Sequence, residues 1–260
     1  MAKKKRTNDD LDQLLKNLGL KRIHEILERE LGRAQKTKPS YASFLARLLR
    51  EQYHFKRERS LMYRIKNADI PEHWTLETFP FKRQPGVHQP TIRQLAELDF
   101  VPRAQNVVFI GDTGVGKTGL ASALLYKALE NGFRGLFVDA GDLFEEMYTS
   151  MADRSTRKLV NRLARIDLLL IDEMGYLNLR PEQCNIFFKL IKERYNRKST
   201  IITTNLEYEE WYDFLGNKQM VAAMLSRLRH QCHTIRIEGP PIRKPQIPEP
   251  PRRSRKKKKR

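Results

Sequence analysis

Cysteine is nearly absent: Cys184 and Cys232 are the only two in 260 residues. Two thiols cannot build a disulfide framework, so a reducing compartment is expected. Long apolar runs are missing too. No stretch approaches the roughly 18 apolar residues of a membrane-crossing helix. Lys3-Lys4-Lys5-Arg6 leads into Asp9 and Asp10 rather than into a signal core. Thirteen glycines without a fixed period exclude a collagen-like chain. Negative charge is also in short supply, with 31 Asp and Glu against 50 Lys and Arg, a formal net of +19.

The excess charge sits at the two ends. Residues 1–70 carry 18 basic and 9 acidic side chains, residues 71–239 carry 22 and 21, and the last 21 residues carry 10 and 1. Such ends favour a polyanion, and nucleic acid is the expected partner. Lysine and arginine bind phosphates without reading bases, so duplex DNA would be held largely independently of sequence. No membrane partner is expected.

Apolar residues recur at helical spacing through the first part of the chain: Leu11, Leu14, Leu15 and Leu18, then Ile23, Ile26, Leu27 and Leu31, then Phe44, Leu45, Leu48 and Leu49. Residues 1–70 therefore read as a small all-helical domain. Its outward faces carry the DNA-contact candidates Arg47, Arg50, Lys56, Arg57 and Arg59, with Arg64 and Lys66. Tyr41, Tyr53 and Phe55 lie among them; such rings can stack on exposed bases, but at helical spacing the core reading is preferred. Residues 71–105, punctuated by Pro71, Pro80, Pro85, Pro90 and Pro102, read as a linker packing on the next domain. The domain at 106–243 alternates apolar strands (Val107–Ile110, Gly135–Val138, Leu168–Ile171, Thr200–Thr204, Thr234–Ile237) with helical patterns, which predicts a parallel sheet covered on both faces. Residues 244–260 are rich in proline and basic residues, and a disordered tail is expected there.

Chemistry enters at Gly111-Asp112-Thr113-Gly114-Val115-Gly116-Lys117-Thr118, directly after the first strand and before the Thr118–Leu129 helix. Gly119 follows within that helix's first turn. This is the P-loop pattern in the context it requires. Its amides and helix terminus suit phosphates, Lys117 suits the β- and γ-phosphates, and the Thr118 hydroxyl suits Mg²⁺. Leu168–Ile171 runs into Asp172 and Glu173, the first placed to hold Mg²⁺ and the second to orient or deprotonate an attacking water. Asn205, closing the fourth strand, is the candidate for holding that water. ATP and Mg²⁺ are the expected cofactors, and hydrolysis the expected reaction. His230, Cys232 and His233 lack a distant second pair of ligands and do not read as a metal site.

With those residues identified, the chain resembles the IstB-like ATPases, AAA+ helpers encoded beside insertion-sequence transposases, and more distantly the DnaC-type helicase loaders. Arg64 to Phe79, Asp172-Glu173-Met174-Gly175-Tyr176, Ser199 to Asn205, and Glu210-Trp211 carry the resemblance, which spans about residues 10–243. It implies a five-stranded AAA+ core with the P-loop strand central, and a homo-oligomer, ring or spiral, on DNA with ATP at subunit interfaces. It also implies a cognate transposase as partner and a bacterial cytoplasmic, nucleoid-associated location. Arg227 stands where the family places an arginine finger, after Ser226 where the family has an acid. Arg243 aligns with the sensor arginine that contacts nucleotide, after Pro241-Ile242 where the family has a serine–aromatic pair. Arg154, Arg157, Lys158 and Arg162, with Arg165, lie in the region that lines the inner surface of such assemblies, and are further DNA-contact candidates.

Overall fold

The computed structural model describes residues 2–175 and 177–242, with side chains from residue 10 onward. Arg243 and the basic tail at 244–260 lie outside the described residues, as does Tyr176. The chain divides into two compact units between Lys66 and Asn67.

The first unit is three helices: α1 (Ala2–Asn17), α2 (Lys21–Thr37) and α3 (Tyr41–Lys66). Leu15, Ile23, Ile26, Leu27 and Leu48 form its core, with Phe44 and Leu31 packed against them. The amides that open α2 lack a local cap, as every helix start does without a partner. Buried Gln52 supplies one from α3, its Oε1 accepting from Arg22 N–H at 3.0 Å and Ile23 N–H at 3.2 Å. The reading of Tyr41 and Tyr53 as core is corrected: they are 95% and 61% exposed. Leu45 and Leu49 share that row and are exposed too, as are Leu11 and Leu14 on α1 and Leu18 just after it. Only the neighbouring row of α3, through Phe44, Leu48 and Gln52, turns inward, one step round the helix.

The second unit opens with residues that do more than link. Ala68 is fully buried and its carbonyl accepts from Phe137 N–H at 2.7 Å. A helix unforeseen in the sequence follows, α4 (Gln89–Leu95), with Pro90 in its first turn. Phe79, Val87, Ile92, Leu95 and Phe100 pack into the sheet's core.

The sheet itself comes from β1 (Asn106–Gly111), β2 (Gly135–Asp139), β3 (Leu168–Met174), β4 (Ser199–Thr204) and β5 (Cys232–Ile237). Between them lie α5 (Lys117–Glu130), α6 (Ala140–Ala152), α7 (Thr156–Ala164), α8 (Pro181–Arg194), α9 (Trp211–Leu215) and α10 (Lys218–His230). All pairings are parallel and the order is β2-β3-β4-β1-β5. The P-loop strand is therefore interior but one place from the edge; β4 holds the centre. Side-chain alternation decides both faces. Val107, Phe109, Leu168, Leu170 and Ile201 pack with α5 and the 79–101 segment, while Val108, Ile110, Leu169, Ile171 and Ile202 pack beneath α6 to α10. Two buried faces explain why the strands are apolar without interruption. Arg194, fully buried, ties the sheet's lower edge by donating to the carbonyls of Leu163 (2.6 Å) and Ile166 (2.9 Å) and to Thr200 Oγ1 (3.0 Å). Burial pushes its guanidinium pKa down to about 9.

Candidate nucleotide-binding site

The carboxyl ends of parallel strands are where open α/β sheets bind ligands. Here β1 ends at Gly111, a five-residue turn follows, and α5 begins at Lys117. Gly116 takes φ 99°, and a Cβ there would lie 2.9 Å from the side chains of Phe79 and Ile242. Glycine is thus required twice over, by conformation and by space. Gln84, fully buried, braces the turn from below, donating to the carbonyls of Val115 (3.0 Å) and Pro240 (3.1 Å). Lys117 Nζ folds over the loop, 2.8 Å from both the Gly111 and the Asp112 carbonyl oxygen. Burial lowers its pKa, against the opposing charges of Asp172, Glu173 and Asp112.

Across the cleft, Asp172 is buried at the end of β3. Its Oδ1 accepts from Thr118 Oγ1 at 3.1 Å and from Thr203 Oγ1 at 2.5 Å. Burial raises the pKa of this carboxyl, while the two hydroxyls pull it down and Glu173 and Asp139 push it up. Glu173 stands beside it, exposed, with φ at 57°. Asn205 follows β4, and Gly175 makes room for it: a Cβ on that glycine would meet Asn205 Oδ1 at 2.5 Å.

Lys117, Thr118, Asp172, Glu173 and Asn205 all line one cleft of about 1030 Å³. Sequence reading missed several of its walls. Trp74 lies over Gly119, its ring 3.3 Å from where a Cβ would be, and is fixed by its indole N–H to Glu72 (2.8 Å). Asp139, which caps α6 through Gly141 N–H at 2.7 Å, and Asp142 and Glu146 add acid to the far wall. An apolar strand closed by a carboxylate, Leu136 to Asp139, was the available signal, the same one that marks Asp172.

The donor set suits Mg²⁺. Thr118 and Asp172 offer hard oxygens 3.1 Å apart. His233, one of the three residues set aside as a metal site, instead meets Gln105 Oε1 at 3.0 Å.

Of the other residues singled out in the sequence, Arg162 lines the cleft and the rest lie elsewhere. Arg227 is on α10, half-buried, donating to the Ala223 carbonyl at 2.7 Å. It borders a small hollow with Asn106 and Thr200, at the opposite end of the sheet from the P-loop. That is a strand length, roughly 20 Å, from its own cleft. Arg47 is committed to buried Glu30, with Nε 2.8 Å from Oε2 in ion-pair contact rather than hydrogen-bond alignment. Arg162 faces the cleft, its Nη2 alone donating to both carboxylate oxygens of Glu146, at 2.7 and 2.8 Å. Arg50, Lys56, Arg57 and Arg59 on α3, Arg154, and Arg157 and Lys158 on α7 are exposed.

A P-loop between β1 and α5, carboxylates closing β3, and five parallel strands in the order β2-β3-β4-β1-β5 define an α/β P-loop protein of the AAA+ class. The family model of IstB-like ATP binding proteins matches residues 13–249, and the chain belongs to that family. The putative ATP-binding protein of insertion sequence IS21 from Pseudomonas aeruginosa is 34% identical over 230 residues, 88% of this chain and 87% of its own. The crystal structure of DnaI shares the fold with a TM-score of 0.55 at 20% identity, over 64% of this chain and 92% of that one. The DnaC helicase loader superposes with a TM-score of 0.51 at 26% identity, over 66% and 96%.

Proposed function

We propose that this chain is an ATP-dependent, DNA-binding AAA+ regulator of DNA transposition. It would assemble on target DNA with ATP and deliver that DNA to a transposase, in the bacterial cytoplasm at the nucleoid. The observation that carries this is the convergence of Lys117, Thr118, Asp172, Glu173 and Asn205 on one cleft, in a chain 34% identical to an insertion-sequence ATP-binding protein. In this reading the 111–119 loop cradles the phosphates, and Thr118 and Asp172 hold Mg²⁺, which when bound neutralises phosphate charge. Glu173 takes the proton of the attacking water and Asn205 orients that water. Arg243 would contact the nucleotide from outside the described residues.

Arg227 lies too far from its own cleft to serve it, which supports a role in the neighbour's. Its guanidinium suits the spread charge of phosphoryl transfer. Arg227→Ala should then bind ATP normally and hydrolyse it poorly. Adding Lys117→Ala subunits, which keep Arg227, should restore turnover at mixed interfaces. Absence of rescue at every mixing ratio would rule out a finger supplied in trans.

With Arg47 and Arg162 occupied by carboxylates, the DNA contacts proposed are Arg50, Lys56, Arg57, Arg59, Arg154, Arg157 and Lys158. The likeness to the DnaC helicase loader favours one second reading, a loader with the same ATPase. Pull-down with a transposase against a replicative helicase separates the two.

A further inference from the structure

We infer that Thr203 is a positioning residue for hydrolysis, one buried hydroxyl that sets both carboxylates at the end of β3; the inference rests on the ATPase reading above. Thr203 is fully buried. Its Oγ1 donates to Asp172 Oδ1 at 2.5 Å and accepts from Glu173 N–H at 3.0 Å. A hydroxyl has one proton and two lone pairs, so the two contacts are compatible and use opposite roles of the same atom.

The backbone shows why the second contact matters. Ile171 pairs with Ile202 and Met174 with Thr204, so Asp172 and Glu173 together stand opposite Thr203 alone. This is a bulge, one extra residue on β3. Strict alternation would turn Glu173 into the core beneath Ile171. Instead Met174, three residues after Ile171, fills that core, and Glu173 is expelled toward the cleft. The expulsion holds Glu173 at φ 57°, a region non-glycine residues avoid. Its N–H leaves the ladder, and the Thr203 hydroxyl takes it. The same oxygen fixes Asp172 on the side where Thr118 meets it.

Losing the hydroxyl should therefore disturb the metal carboxylate and the water-facing carboxylate together. The P-loop, built from α5 and its own amides, should be left alone. Thr203→Val removes the hydroxyl at nearly constant shape, and Thr203→Ser keeps it. The test uses the full chain, with three readouts: affinity for a fluorescent ATP analogue without metal, Mn²⁺ affinity of the ATP-bound protein by electron paramagnetic resonance, and steady-state ATP turnover on duplex DNA.

For Thr203→Val the expected result is unchanged metal-free nucleotide affinity and an unchanged KM. Mn²⁺ affinity should weaken about tenfold and kcat should fall about tenfold or more, the scale of one hydrogen bond to a charged group. Thr203→Ser should recover most of both. Wild-type Mn²⁺ affinity and kcat in Thr203→Val would overturn the inference. So would an equal fall in both variants, which marks packing, or loss of metal-free nucleotide affinity, which marks a disturbed fold. A wild-type protein that hydrolyses no ATP would sink the ATPase reading by itself. The Mn²⁺ comparison would still decide whether Thr203 sets Asp172.

Discussion

Lys117→Ala is expected to lose ATP affinity by roughly 30- to 4,000-fold. Removing one partner of a hydrogen-bonded charge pair in a partly buried site costs about 2–5 kcal/mol, and each 1.4 kcal/mol is tenfold. Lys117 is half-buried at the start of α5, and its ammonium rests on the carbonyls of Gly111 and Asp112. The cation on the far wall, Arg162, is occupied by Glu146 and does not replace it. This ammonium is the one side-chain cation in the 111–119 loop; the rest of the loop meets phosphates with uncharged donors, its amides, hydroxyls and helix terminus. Calorimetry or a fluorescent analogue reads the loss directly, with the sheet's circular dichroism as a check on folding. Wild-type affinity in this variant would remove the phosphate-site assignment.

The second large effect is on turnover. Glu173→Gln is expected to lower kcat by about 10²–10⁴, the usual range for a general base, with ATP affinity unchanged. The substitution keeps size and hydrogen bonding but cannot accept a proton. Glu173 is exposed in the cleft beside buried Asp172, and only the latter meets the Thr118 hydroxyl. The two carboxylates are thus in different surroundings, one suited to a metal and one to water. The variant should also accumulate as the ATP-bound assembly on DNA, since nothing clears the nucleotide. Wild-type turnover in Glu173→Gln would mean that another group activates the water.

Much of this was legible in the residues themselves. Glycines spaced through a turn between an apolar strand and a helix leave the amides free to face a phosphate, and strands apolar on both faces report the helices that cover them. Other features depend on partners that local pattern does not name. The bulge at Glu173 is visible only once β4 is known to pair with β3, because only then does the spacing from Ile171 to Met174 break alternation. Tyr41 and Tyr53 share the helical period of the buried row, and their exposure follows from which side α2 packs on. Arg47 reads as a surface base until Glu30, seventeen positions earlier, is found beside it. The prolines of 71–105 mark a linker packing on the next domain, but they do not show that Phe79, Ile92 and Phe100 are buried in its core or that Gln89–Leu95 is a helix. Arg227 could be matched to a finger by resemblance, but its distance from the cleft required the sheet.

The central proposal, that ATP drives assembly on DNA, is tested most directly by sedimentation velocity on labelled duplexes of unrelated sequence, with and without ATP and Mg²⁺. The expected result is a large protein–DNA complex on every duplex that forms only with ATP, is absent for Lys117→Ala, and persists longest for Glu173→Gln. A complex of the same size and affinity formed without nucleotide, or by Lys117→Ala, would contradict it.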